Sequence, residues 1–132
     1  MKSGDGLSVL AIVSHPPSVD LLKHMLRSTD ERLRVTGDLA EGLQTAANDP
    51  PDLVLVEVGL GDNAGLAVVH HIQAVAPGVA VYAVGEPSTL EAMTQAVALG
   101  GAGILMLPLS GDDLLTAISR VRARRAALPK SR

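Results

Sequence analysis

From Pro51 to Gly65 the chain reads P-D-L-V-L-V-E-V-G-L-G-D-N-A-G. An unbroken apolar run, Leu53 to Val56, ends in the carboxylate of Glu57 and runs on into glycines. A strand covered on both faces reads as a continuous apolar stretch, the pattern of a parallel sheet layered with helices. Such a strand delivers its terminal acid to the carboxyl edge of the sheet. Everything else in the chain has to fit around that strand.

The rest of the sequence supplies the other strands and their crossovers. Apolar runs at Leu7–Val13, Leu33–Thr36, Leu53–Val58, Val79–Val84 and Gly103–Met106 alternate with helical patterns. The helices fall near Ser18–Ser28, Ala40–Asn48, Ala64–Ala76, Ser88–Leu99 and Gly111–Ala126. This alternation predicts a doubly wound α/β domain with a parallel sheet and helices on both faces. Leu33 and Val35 alternate with Arg34 and Thr36, so the second strand belongs at an edge. Ser88 with Glu91, and Ser110 with Asp113, predict capped starts for the last two helices. Gly100-Gly101 sits where a helix C-cap belongs, and Pro77-Gly78 closes the third helix. Residues 1–127 read as one domain, and 128–132 as a disordered tail or the start of a linker.

Composition narrows the functional classes. A chain of 132 residues can bury a proper core, and no apolar run approaches the roughly 18 residues of a membrane span. The N-terminal apolar run reads as a strand, not a signal peptide. Cys is absent, which excludes disulfides and thiolate metal sites and makes a cytoplasmic setting the expectation. Tyr82 is the only aromatic residue, so base stacking has almost nothing to work with and nucleic acid is not an expected partner.

Ligands of doubly wound sheets bind beyond the carboxyl ends of the strands. The residues to inspect there are Ser14, His15, Glu57, Gly85, Leu107 and Pro108. The sequence P-D-L-V-L-V-E-V with Gly65 downstream, the strand pattern, and G-G-A-G-I-L-M-L-P-L resemble the bacterial response-regulator receiver domain over essentially the whole chain. That resemblance implies a flavodoxin-like (CheY-like) five-stranded sheet in the order 2-1-3-4-5. It also implies that Glu57 stands for the phosphoacceptor Asp, Ser14 and His15 for the magnesium-holding acidic pair, Gly85 for a Ser or Thr, and Leu107 for a Lys. Ile104 falls where many receivers carry an aromatic switch residue. Gly65 and Pro108 match structural turn positions, and the resemblance implies a cis bond at Leu107–Pro108.

Five functional positions thus depart from the pattern together. Glu57 alone is a poor cage for magnesium, and phosphoryl transfer needs cations at the transferred oxygens. The expectation is a degenerate receiver that takes no metal or cofactor and is not an enzyme. It would act as a phosphorylation-independent protein–protein interaction module in signalling. Two alternatives stand beside it. One is a receiver still phosphorylated on Glu57 or Asp62. The other is a regulatory domain steering an attached effector through its last helix. Glu57 is either a mimic of the activated state or a solvated carboxylate, and His15 is either its ion-pair partner or an exposed turn residue.

Other signals carry less. Gly59 to Gly65 reads G-x-G-x-x-x-G, but it falls in the third βα unit of a chain without a second nucleotide-binding half. His70 and His71 are adjacent, about 100 degrees apart on a helix, and cannot chelate as an i, i+4 pair would. His24 reads as a surface residue. Arg120, Arg124 and Arg125 are expected on one side of the last helix, where its dipole favours cations.

The strongest positive clue is missing charge. From Asn63 to Gly111 the only charged residues are Glu86 and Glu91. Helices on a doubly wound sheet normally carry charge on their solvent side, and broad neutral faces mark interfaces. Gln73, Glu91, Gln95 and Ile104 are the interface candidates, with Leu90, Met93 and Val97 expected as the buried stripe of the fourth helix. A signalling protein, or a second copy in a homodimer, is the expected partner.

Overall fold

The computed structural model describes residues 6–27 and 32–127, with the backbone alone at 61–63. Five strands alternate with five helices: β1 (Ser8–Ile12), α1 (Pro16–Arg27), β2 (Arg32–Thr36), α2 (Leu39–Asn48), β3 (Leu53–Glu57), α3 (Leu60–Val75), β4 (Ala80–Gly85), α4 (Leu90–Ala98), β5 (Gly103–Met106) and α5 (Gly111–Ala127). All neighbouring strands are parallel and run in the order β2-β1-β3-β4-β5. The doubly wound flavodoxin-like sheet is as expected. Half-buried β2 lies at one edge and β5 at the other. The expected tail, residues 128–132, lies outside the described residues.

Side chains alternating along β1, β3 and β4 feed two separate cores, as the pleat requires. One face packs Leu7, Val9, Leu53 and Leu55 against Leu22 and Leu26 of α1 and Leu114 and Ile118 of α5. The other packs Leu10, Ile12, Val54 and Val56 against Ala46 of α2, Val69 and Ile72 of α3, and Met93 of α4. At the amino end of the sheet, Asp52 Oδ2 accepts from the Ser8 N–H at 2.9 Å and from Arg125 at 3.3 Å. Arg125 also donates to the Gly6 carbonyl. It therefore leaves the side of α5 shared by Arg120 and Arg124, contrary to expectation, because the helix turns it back toward the start of β1.

Two helix starts differ from the sequence reading. α3 begins at Leu60, so the glycine-rich stretch is its first turns, and Gly65 is a helical residue, not a turn residue. A Cβ there would lie 2.6 Å from the Glu57 carbonyl oxygen and 2.7 Å from Val58 Cα. Only glycine lets this helix sit so close to the end of β3. The capping box of Ser88 and Glu91 is not formed. Pro87 starts a 3-10 turn (Pro87–Thr89), so the cap of α4 is Thr89, without a side-chain bond. The start of α5 is as expected, with Ser110 Oγ accepting the Asp113 N–H at 3.1 Å. So is the end of α4, where Gly100 takes φ +114°.

Candidate functional site

The carboxyl ends of β1, β3, β4 and β5 bring Ser14, His15, Glu57, Gly85 and Leu107 to one end of the molecule. Glu57, last in β3 and half-buried, turns its carboxylate toward the loop after β1. Its Oε1 accepts the Ser14 backbone N–H at 2.9 Å and the Ser14 hydroxyl at 3.3 Å. Ser14, one member of the expected metal pair, therefore donates to the acid instead of joining it as a ligand.

His15 does not pair with Glu57. Its Nδ1 lies 2.8 Å from the Ser18 hydroxyl and accepts the Ser18 backbone N–H at 3.3 Å. A backbone N–H can only donate, so Nδ1 is unprotonated in this arrangement and the ring proton sits on Nε2. The imidazole thus acts as the N-terminal cap of α1, whose first residues, Pro16 and Pro17, have no N–H to satisfy. Ser18 is 1% exposed, and its oxygen accepts the Leu109 N–H at 3.1 Å. One buried hydroxyl thereby ties the loop after β1 to the loop after β5. Sequence reasoning missed Ser18; the signal was a Ser at the third position of a helix opening on two prolines.

At Gly85 the missing side chain is replaced from elsewhere. A Cβ there would lie 2.3 Å from Thr89 Oγ1, which donates to the Glu86 carbonyl at 2.7 Å. Thr89, also unforeseen, fills the space over the end of β4. Leu107 is buried, joins the α1/α5 core, and donates its N–H to the Gly85 carbonyl at 2.8 Å. The Leu107–Pro108 bond is cis, as expected. Beside the site, a shallow pocket of about 320 Å³ is lined by His15, Glu86, Pro87, Ser88, Leu107 and Pro108.

Magnesium needs near-octahedral oxygen ligation. The site offers one carboxylate already engaged by two donors, an imidazole engaged by Ser18, and an apolar Leu107. These residues do not fit the ion. Among the described residues no three His, Cys, Asp or Glu side chains gather as a metal group. The Asp62 side chain, the other acid considered, lies outside the described residues. His70, His71 and His24 are exposed.

Of the interface candidates, Glu91 and Gln95 are exposed, while Ile104 on the edge strand is half-buried. Gln73 is half-buried, with its side chain lying against the Gly100 backbone. The buried residues of α4 are Met93 and Ala96. Leu90 and Val97 stand 50% and 38% exposed, contrary to the expected stripe, because the helix sets the 93/96 edge on the sheet. Val75 and Leu99, which end α3 and cap α4, are exposed as well.

The family described as response regulator receiver domain matches residues 9–119. A probable transcriptional regulatory protein of Mycobacterium tuberculosis, TcrX, is 26% identical over 125 residues, 93% of this chain and 52% of that protein. The chain spans about half the length of the curated relatives it matches. Among solved structures, a CheY-like receiver domain protein of Methanospirillum hungatei superposes with a TM-score of 0.82 at 21% identity. That match covers 92% of this chain and 97% of the other. The receiver domain of a Pseudomonas aeruginosa sensor histidine kinase, solved with a magnesium ion in its active-site cleft, gives 0.76 at 20% identity. It covers 89% of this chain and 98% of its own.

Proposed function

Because this chain belongs to the response regulator receiver domain family, a module of two-component signalling, we propose that it is a degenerate member acting by protein–protein interaction without phosphorylation or catalysis. The observation that carries this reading is the state of Glu57. Its carboxylate is engaged by Ser14, where a phosphoacceptor would face a metal. Phosphoryl transfer is catalysed by positioning and by cations on the transferred oxygens. The positions that would supply those cations carry Ser14, His15 and Leu107. The partner surface is the neutral α3–α4 side, where Leu90, Val97 and Leu99 stand exposed with almost no charge nearby.

The test is exposure to magnesium with beryllofluoride, and separately to a small-molecule phosphodonor, read by amide NMR and intact mass. No shift and no added phosphoryl mass are expected. Metal-dependent beryllofluoride binding or a phosphorylated species would overturn the reading and restore Glu57 or Asp62 as an acceptor. Capture of partners on the immobilised domain should then be unchanged by phosphodonor.

One observation favours a second reading. One relative matched is named a probable transcriptional regulatory protein and another an acid tolerance regulatory protein, and this chain spans 52% and 58% of the two, so the domain would steer an attached effector through α5. Arg125→Ala, which releases the end of α5 from Asp52 and Gly6, should then alter the output of such a fused protein while leaving partner capture through α3–α4 intact.

A further inference from the structure

Between Arg34 and Arg120 the chain has no Lys or Arg, yet ten of its fourteen Asp and Glu fall there. That stretch makes α2, α3, α4 and the loops that follow β3, β4 and β5. Two of its acids are met by bases from outside it, Asp49 by Arg34 and Asp52 by Arg125. Glu86 is not.

Glu86 follows β4 in an extended conformation and holds the N-cap position of the Pro87–Thr89 turn, but its side chain makes no cap bond. Pro87 has no N–H to offer. The Thr89 N–H and hydroxyl both go to the Glu86 carbonyl, at 2.8 and 2.7 Å. Among the described residues nothing bonds to the Glu86 carboxylate, which stands exposed at the pocket of about 320 Å³. The other lining residues are His15, Pro87, Ser88, Leu107 and Pro108, and none of them brings a cation. Position 107, where the resemblance implies a lysine, holds a leucine 6% exposed. His15, whose unprotonated Nδ1 is held by Ser18, is neutral in this arrangement. The pocket thus keeps a carboxylate that the fold does not use.

We propose that this pocket receives an arginine side chain from a partner protein. The proposal rests on the interaction-module reading and gives the partner's contact segment its chemistry. A guanidinium offers a planar fork to a carboxylate and lies flat against apolar walls, supplied here by Pro87, Leu107 and Pro108. Leu90 opens α4 directly after the turn and is 50% exposed, so an apolar residue beside the arginine completes the contact. Across the base-free stretch an acidic partner is repelled and a basic one attracted. The pair is open to solvent, so binding weakens as salt rises.

The test selects short random peptides displayed on phage against the full chain and follows the enriched sequences by amide NMR. Enriched peptides should carry an arginine next to an apolar residue and shift the amides of Glu86, Ser88 and Leu107. Glu86→Gln should weaken a selected peptide roughly three- to tenfold, and replacing the peptide's arginine by neutral citrulline should do the same. The two losses should not add, because both remove one pair. Glu91→Gln, an exposed acid outside the pocket, should have a smaller effect. Ser88→Arg, also at an exposed position, supplies a cation from within and should block binding should Glu86→Gln fail to fold. No enriched peptide, enrichment without arginine, amide shifts away from the pocket, or additive losses would each overturn the proposal. So would self-association of the parent chain that Glu86→Gln abolishes, which would give the pocket to a second copy. A phosphorylated species in the phosphodonor experiment would leave these binding results standing, and the absence of one would not rescue them, so the two readings fail separately.

Discussion

At Gly85 a side chain would meet Thr89 Oγ1 at 2.3 Å and Met93 Sδ at 3.2 Å. A hydroxymethyl group introduced at this position therefore has no free space to occupy. Gly85→Ser should destabilise the domain by about 1–3 kcal/mol through overpacking. Thr89→Ala in the same chain should recover much of that loss, so the two changes couple favourably in urea unfolding. Additive penalties would show that Thr89 is not the obstruction. Ser18 invites a second test. Removing its hydroxyl strands the Leu109 N–H in the interior, and an unsatisfied buried donor costs about 1–3 kcal/mol. Ser18→Ala should lose stability on that scale, and the Leu109 amide should exchange faster with solvent. Unchanged exchange at Leu109 would show that the link between the two loops is dispensable. Neither Thr89 nor Ser18 stood out in the sequence, because each acts on another segment: Thr89 fills the space at Gly85, and Ser18 satisfies the Leu109 N–H. Glu57 and Gly85 were legible because they end strands, and Leu107 because it directly follows one; strand ends follow from apolar runs.

Among the elements, α4 departs most from its sequence pattern. Leu90, Met93 and Val97 suggest a single buried stripe, but only Met93 is buried and Ala96 completes the contact. In a helix of nine residues, apolar spacing alone leaves the rotation about the axis open, and small Ala residues suit either side. The misreading bears on function, since it hid Leu90 and Val97 from the surface count. Gln95 is exposed, so Gln95→Glu adds charge with little change in volume. If the α3–α4 side is the partner surface, this substitution should weaken capture of a bound partner by roughly five- to a hundredfold, about 1–3 kcal/mol. Thermal stability should remain within about 0.5 kcal/mol. Gln73 is a poorer probe, because its side chain packs on Gly100 at the end of α4 and a charge there would disturb the cap. Unaltered capture by Gln95→Glu would remove α4 from the interface.

At the scale of the molecule, the sheet divides the interior into two cores that share β1, β3 and β4. This much was legible, since an apolar run with no polar alternation needs cover on both faces. The entry to α3 was not legible, because Gly59 and Gly65 suggest a loop, whereas the close approach that glycine permits allows a helix. The division also predicts how damage propagates. Ile72 on the α3 side and Ile118 on the α5 side are both buried, on opposite faces of the sheet. Each Ile→Val should cost about 0.5–1.5 kcal/mol as one methyl is lost from a packed interior. The residues share no core cluster, so the double variant should lose the sum to within about 0.3–0.5 kcal/mol. The strands they pack against are hydrogen-bonded into one sheet, so unfolding should remain a single transition followed by circular dichroism and by Tyr82 fluorescence together. Two separated transitions, or a coupling near 1 kcal/mol, would mean that the layers do not act as independent packings on one cooperative sheet.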